Sequence, residues 1–418
     1  MTEAFLHYMF ESRKLGQRFY TTEGDLLWVE NFGHLNGNSG PDFLMATIKI
    51  NETKWAGHIE FHINSSDWIK HGHQNDKAYN NVIAHFVWNH DREIMAGEYQ
   101  LPVVELKGLI DEKQYKKYKK LIDANKRIPC EGSTVLSQKI TDQMTVALSR
   151  RLQRKSNEVL SLLELHNGDQ LKVLLHLITT SLGGKVNREG FTALSEKIER
   201  TILAKLDYQE FKIQALLHGL SGLLTQQKSS DPYIQSLQNE FDYQKKVFGL
   251  QPLPATIWKF STFRPSAHPT HRIAQLAGLL SNTNFLTHLN EGAIENTHRF
   301  LEIEPDPFWN RHYHFGKTTK LKNTALTKTV KNHIIINAIV PFAVALGKLK
   351  DDGELYKKAV NLLKELKVEQ NKIVQQWVKI GVLAKNAADS QALIELKNEY
   401  CDKKKCLSCA IGQEIMNK

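Results

Sequence analysis

The stretch 40–85 constrains this chain more than any other part of it. It opens Gly40-Pro41-Asp42-Phe43, extends over 44–50, turns at Asn51-Glu52-Thr53 and extends again over 54–64. Residues two apart in a strand share a face. The second segment therefore presents His58, Glu60 and His62 on one side and Ile59, Phe61 and Ile63 on the other. An acid heading one strand of a hairpin, facing an acid and a base on the next, suits a divalent cation. Hard carboxylate oxygens at Asp42 and Glu60 would hold magnesium or manganese, and a base or cation beside them would activate water or stabilise developing charge. The structural alternative is a turn capped by Asp42 and a Glu60 paired with a basic neighbour on a half-exposed strand.

Downstream come Ser65-Ser66-Asp67-Trp68, then His71, His73 and Asp76, then a further strand pattern over 82–88. His58, His62, His71, His73, His85 and His90 gather six of the 18 histidines into this short region. His71-Gly72-His73 with Asp76 offers transition-metal ligands or a general base. His62 and His73 are the expected active pair, with His71 and His85 in support. Hydrogen bonding within a sheet or at a helix end is the ordinary role for one or two of them.

A length of 418 residues predicts two or three domains, and 41% hydrophobic residues suffice for a large core. The charge is uneven. Residues 1–110 hold 9 Lys+Arg and 14 Asp+Glu, a net of −5, so the other 308 carry +15 toward the total of +10. A carboxylate-rich portion joined to a basic one is what a metal-dependent enzyme acting on a polyanion needs, although ordinary solvated charge gives the same totals. Residues 1–10 have no basic flank and no long apolar core, so no secretory signal is visible. The apolar stretch 334–347 is interrupted by Asn337 and Pro341 and is too short to span a bilayer. A soluble, cytoplasmic protein with no membrane partner is expected; oligomeric state is not legible. Four cysteines in so long a chain do not make a secreted disulfide framework.

Apolar spacing predicts a helix over 3–14, strands over 25–32, 44–50, 54–64, 82–88 and 100–106, and a loop and helix over 66–80. The pattern then changes. Lys113, Lys116, Lys117, Lys119, Lys120, Lys126 and Arg127 crowd a helical segment with Tyr115 and Tyr118, and a domain boundary is placed after it. From residue 140 to about 400 the segments read as helices, among them 144–165, 170–182, 210–224, 231–247, 269–280, 331–348, 354–366 and 390–399. The fold class is thus an α/β N-terminal domain, residues 1–128, followed by a large all-α domain, 129–400, and a cysteine-rich tail, 401–418. No fixed-period repeat supports a solenoid. Segments 258–272 and 308–322 are the least regular.

Two further constellations carry chemistry. Cys401, Cys406 and Cys409 lie within nine residues in a C-x₄-C-x₂-C spacing used for iron–sulfur ligation, and thiolates also suit zinc. Cys130 is the remaining cysteine and the candidate fourth ligand. Lys403, Lys404 and Lys405 would favour thiolate over thiol. Three reduced, unligated thiols at a frayed terminus are the plain alternative. Four thiolates around one zinc would lie within ~4 Å of one another. The second constellation is Arg264 to Arg272: Pro269 is placed to start a helix, and Arg264, His268 and Arg272 beside a helix N-terminus would hold a phosphate. The plainer reading, slightly preferred, is an ordinary proline-rich helix cap with solvated arginines. Lys116 and Lys120 are further candidates for phosphate contacts, and His312, His314 and Lys317 belong to the same class.

The pattern Pro41-Asp42…Glu60-Phe61-His62 resembles the PD-(D/E)XK nuclease superfamily over roughly the first quarter of the chain. That resemblance implies a restriction-endonuclease-like mixed sheet, a magnesium or manganese ion on Asp42 and Glu60, and an assisting acid on the preceding helix, Glu11 first and Glu3 next. His62 departs from it, standing where the superfamily has lysine; histidine is not a permanent cation. The cysteines resemble the iron–sulfur branch of the same superfamily, which implies a 4Fe-4S staple. Here Cys130 follows the α/β portion instead of preceding it. Over its full length the chain resembles an uncharacterised family of Bacteroidetes-type bacteria, the domain of unknown function 2851 family. The matching stretches are Gly40-Pro41-Asp42-Phe43, Ser65-Ser66-Asp67-Trp68, Arg272-Ile273-Ala274-Gln275-Leu276, Ala387-Ala388-Asp389-Ser390-Gln391-Ala392-Leu393, and the segment from Cys401 to Gly412. The expected function is metal-dependent cleavage of DNA or RNA. The alternatives are a catalytically degenerate nucleic-acid-binding protein and a helical interaction scaffold with a structural metal.

Overall fold

Strand alternation on either side of Asn51 produces the centre of a seven-stranded mixed sheet. The computed structural model describes residues 1–96, 99–123, 126–135, 137–225, 230–260, 267–284, 287, 294 and 297–418. The chain divides into two units, one of Met1–Thr145, Gln376–Val382 and Ile394–Lys418, the other of Val146–Gln375 and Leu383–Leu393.

The first unit begins with α1 (Glu3–Glu11), then β1 (Arg18–Tyr20), β2 (Leu26–Asn31), β3 (His34–Leu35), β4 (Phe43–Ile50) and β5 (Thr53–Asn64). A short helix α2 (Asp67–Lys70) and two 3-10 turns lead to β6 (Val82–Asn89). A small β7–β8 ribbon (Met95–Ala96, Tyr99–Gln100), β9 (Val103–Glu105) and helix α3 (Glu112–Asp123) follow. The sheet order is β1-β2-β4-β5-β6-β9, with β3 on β4. Pairing is antiparallel from β1 to β5, and parallel for β5–β6 and β6–β9. The α/β character and the helical remainder are as the periodicities predict. Strands β1 and β3 are additions, because two or three residues are too few for alternation to register.

Residues of β5 and β6 sort onto two faces. Phe61 stands opposite Phe86, and Glu60 opposite His85. On the first face α1 buries Phe5, Leu6, Met9 and Phe10. The Phe10 ring meets those of Phe43, Phe61 and Phe86 at 5.1 Å each. Burying a phenylalanine stabilises by roughly 1.5–3 kcal/mol, so this cluster anchors the strands that carry Asp42 and Glu60. A second apolar cluster joins Trp68 and Tyr79 of the β5–β6 crossover to Val82 of β6 and to Ile94 and Leu101 beyond it.

The second unit is helical. Its principal helices are α4 (Ser137–Leu165, which begins in the first unit's residues), α5 (Gln170–Leu182), α6 (Arg188–Glu196), α7 (Arg200–Lys205), α8 (Glu210–Leu220), α9 (Pro232–Phe248) and α10 (Pro269–Leu280). At its centre Gln214 accepts from both Trp309 Nε1, 2.7 Å, and the Tyr233 hydroxyl, 2.9 Å, which satisfies two buried donors. The apolar segment near 334–347 lies in a longer helical run, Lys328–Leu349, interrupted by a π turn at Ile335–Ile339. Its 22 residues are long and apolar enough to cross a bilayer, a correction to the shorter reading, but 72% of its most apolar window is buried inside the protein. A short hairpin, His312–His314 with Lys317–Thr318, occupies a segment expected to be irregular.

Candidate functional site

Glu60 and His62 project from β5 onto the crossover face, and three segments close around them. The Ser65-Ser66-Asp67-Trp68 stretch is a clip. Ser65 Oγ donates to Asp91 Oδ1 at 3.0 Å and to the Arg92 carbonyl at 2.7 Å, and Asp67 Oδ2 accepts the Asn64 N–H at 2.9 Å. This fixes the start of α2, whose end carries His71. Gly72 adopts φ 77°, a left-handed conformation that a side chain disfavours, and turns the chain so that His71 and His73 both face His62. Asp76 does not join them; it caps the next turn, accepting the Ala78 N–H at 2.9 Å.

Three imidazoles crowd one point, and Glu60 stands beside two of them. His62 Nε2 lies 3.1 Å from His71 Nδ1 and 3.6 Å from Glu60 Oε1, while His73 Nε2 lies 3.4 Å from the same Glu60 oxygen. Ligand atoms of His62, His71 and His73 all fall within 4.8 Å of one another. The second nitrogen of His62, Nδ1, is 2.8 Å from His85 Nε2. With the proton on His62 Nδ1, that contact is a hydrogen bond and the Nε2 lone pair faces the cluster, the tautomer that a metal-ligating histidine requires. The His73 ring stacks on Tyr79 at 3.8 Å, and the Trp68 ring packs on His73 and His85.

Asp42 and Glu60 are tied reciprocally across β4 and β5. Glu60 Oε2 accepts the Asp42 N–H at 3.0 Å, and Asp42 Oδ2 accepts the Phe61 N–H at 2.9 Å. His7, from α1, places Nε2 3.1 Å from Asp42 Oδ2. His7 was not legible as a site residue; its one signal is its place one turn after Glu3 on α1. Of the two helix acids, Glu3 feels the site: burial first, then the Asp42 charge, raises its carboxyl above the usual range. Glu11 is exposed at the far end of α1 and has no hydrogen bond or ion pair among the described residues.

The electrostatics are those of a site short of positive charge. Burial, then Asp42, pushes Glu60 up to about 9. Burial, then His73 and His71, pulls His62 down to about 4. Burial also lowers His73, and carries His85 well below its ordinary value. Without a cation the resting site is a protonated Glu60 beside neutral His62, His73 and His85. A sign follows for stability. Above the ordinary histidine range, up to about 9, the folded state holds a Glu60 proton that the unfolded chain has lost, so stability falls as pH rises. Metal-free protein is expected to lose on the order of 1 kcal/mol per pH unit through this window, and Glu60→Gln to flatten the slope. Equal slopes in urea titrations of the two proteins would contradict this.

The four cysteines line one small cavity of about 20 Å³ with Trp377 and Tyr400. Burial comes first, then neighbouring sulfurs: Cys130 is pushed up to about 11 with Cys409 beside it, and Cys406 to about 12 with Cys409 and Cys130. Cys401 is raised too, by burial and then by the other three. The expected lysine activation is therefore outweighed. Lys404 acts on Cys406 in the expected direction, but Lys403 is drawn to Glu399 at 2.5 Å. The thiols are also spaced more widely than one zinc would hold them. Among the described residues, three or more ligand atoms within 4.8 Å occur at His62, His71 and His73, and at His166, His176 and Glu196, not at the cysteines. Gly412 lies against this loop, where an added Cβ would collide with the Cys406 carbonyl. Gly412→Ala is expected to destabilise by about 1–3 kcal/mol, read as a lower melting temperature; an unchanged melt would show a freely yielding loop.

The nucleic-acid candidates are dispersed. Lys116 and Lys120 are exposed on α3, and Lys116 pairs with Glu112 at 3.5 Å. His268 sits at the start of α10 against Phe260 and His314, and burial, then His314, lowers it to about 4. Arg272 follows on α10, its Nη1 donating to Gln275 Oε1 at 2.6 Å. Arg264 lies outside the described residues.

Comparison with known proteins finds no match among curated proteins or solved structures. A family profile described as "Protein of unknown function (DUF2851)" matches residues 3–372, a span holding α1, the Asp42–Glu60 hairpin, the histidine cluster, Cys130 and most of the helical unit. With so much of its length matched, the chain belongs to the DUF2851 family.

Proposed function

We propose that this protein is a metal-dependent hydrolase of nucleic-acid phosphodiesters, acting at Glu60, His62, His71, His73 and Asp42. The observation that carries the reading is the convergence of three imidazoles on one point, with the Glu60 carboxylate beside two of them and tied to Asp42. The donor set fits a divalent ion. Removing the Glu60 proton and placing a cation among the lone pairs relieves the burial of groups without a hydrogen bond, such as His73 Nε2 beside Glu60. Imidazoles suit zinc or iron and carboxylates suit manganese or magnesium; of the two ions expected from the sequence, manganese, the transition metal, takes a mixed imidazole–carboxylate set more readily than magnesium. Bound there, such an ion would acidify a water and neutralise charge on a phosphoryl oxygen.

The chain's own residues have separate tasks. With its Nδ1 proton donated to His85 Nε2, His62 serves as a ligand instead of the water-activating base. Asp42 accepts the Phe61 N–H and keeps its carboxylate beside His7 Nε2, so that this pair can take a proton from water. Glu3 adds negative charge at the same edge. The net +15 of residues 111–418 supports a polyanionic substrate. The test is cleavage of end-labelled single- and double-stranded DNA and RNA by the full chain with manganese, magnesium or zinc. Cleavage with manganese is expected. Salt-sensitive binding without cleavage in any metal would favour a degenerate nucleic-acid-binding protein, the rival that His62 in the lysine position supports. Absence of salt-sensitive binding would favour an interaction scaffold.

We infer a second metal centre at Cys130, Cys401, Cys406 and Cys409. What supports it is that all the cysteines of the chain face one cavity. Four thiols that resist ionisation side by side become stable thiolates once a cation compensates them. Four thiolates would fill one tetrahedral zinc site or ligate one 4Fe-4S cluster.

A further inference from the structure

In the helical unit two cavities share part of their lining. One, of about 280 Å³, is lined by Lys155, Glu158, His176, Lys185, Arg188 and His333 among others. The second, of about 310 Å³, is lined by Lys185, Arg272, Thr329 and His333 among others. Ser181, Gly184, Lys185 and His333 border both. The lining has an excess of cations. Glu158 is the one carboxylate in the first lining and is engaged by Lys155 at 2.7 Å; the second lining contains none. Among the described residues Lys185, Arg188 and Arg272 have no ion pair.

Arg272 is the key group. Its guanidinium is largely enclosed, and its hydrogen bond goes to a neutral amide, Gln275. Burial pulls it down to about 10. His333 borders both cavities, with Arg188 lining the first and Arg272 the second; burial, then the positive charges of Arg272 and Arg188, lowers its pKa. An enclosed guanidinium without a counter-charge is unfavourable unless an anion arrives, and its planar fork matches phosphate oxygens. The volumes are at the small end for ligand sites, enough for a phosphate group and a small attached body but not for a duplex.

We propose that the two adjoining cavities form a phosphomonoester site, with Arg272 in the second as its anchor, Arg188 in the first, and Lys185 bordering both. A free nucleotide and the 5′-phosphate end of a single strand share that chemistry. The proposal does not rest on the hydrolase reading, because it concerns a different unit and is read by binding alone. The test is calorimetry on the full chain with pyrophosphate, AMP, and a hexanucleotide with or without a 5′-phosphate. Pyrophosphate is expected to bind, at least about tenfold more weakly in Arg272→Gln, with Arg272→Lys between the two. AMP binding alone identifies a nucleotide site; preference for the phosphorylated hexanucleotide identifies a strand end. No pyrophosphate binding at millimolar concentration, or unchanged affinity in a folded Arg272→Gln, overturns the site. If that variant unfolds, the exposed Lys185→Gln decides: weaker binding supports the site, unchanged binding overturns it.

Discussion

Asp42→Asn is expected to abolish manganese-dependent cleavage, by at least about 10³-fold in kcat, while leaving the fold and nucleic-acid affinity largely intact. The reason is geometric. The carboxamide oxygen of the variant can still accept the Phe61 N–H, a bond now made by Asp42 Oδ2 at 2.9 Å, so the hairpin stays closed. What is lost is the negative charge beside His7 Nε2, 3.1 Å away, and with it the group that receives a proton. His7→Gln should lower the rate less and shift its pH profile, because a carboxylate alone is a weaker base. Retained cleavage in Asp42→Asn would remove Asp42 from the chemistry.

Cys406→Ser carries the second large effect. It should lose bound metal and lower the melting temperature together, by the equivalent of about 2–4 kcal/mol, since the centre would close the loop between residues 130 and 401 and restrict the unfolded chain. Cys406 is buried among the other three thiols, so a serine leaves the cavity with one ligand too few. The colour of the purified protein separates the metals: absorption near ~400 nm accompanies iron–thiolate bonding, and zinc has none. Loss of metal without loss of stability would leave the centre without its structural role. A wild-type protein free of metal after anaerobic purification would remove it.

The hairpin around Asn51 was legible because both its strands alternate over many residues, and alternation is a local signal. The two faces of β5 followed from that alone. The neighbouring strand was legible over 82–88 but its pairing was not: β6 pairs in parallel across a crossover, and nothing in 82–88 states that Glu60 will stand opposite His85. His71 and His73 could be suspected from composition, but their meeting with His62 depends on a left-handed Gly72 and on the Ser65–Asp91 clip, which are tertiary facts. His7 was hidden because α1 reads as a core helix, and its aromatic residues explain the pattern without it. Glu11 was preferred to Glu3 on resemblance, whereas three-dimensional charge coupling belongs to Glu3. The meeting of the cysteines followed from having four and no more. Their raised pKa values did not, because burial outweighs nearby lysines and burial cannot be read from spacing. Arg272 was marked by its place at a helix start, but Lys185, Arg188 and His333 come from separate segments and carry no motif.

Electron–nuclear double resonance on the manganese-loaded full chain tests the central claim most directly, because it reports which atoms touch the ion. The account predicts one tightly bound manganese ion per chain with nitrogen couplings from imidazole, reduced in His62→Ala and in His73→Ala, and lost with the ion in Glu60→Ala. A manganese signal carrying only water and carboxylate couplings, unchanged in those histidine variants, would contradict it.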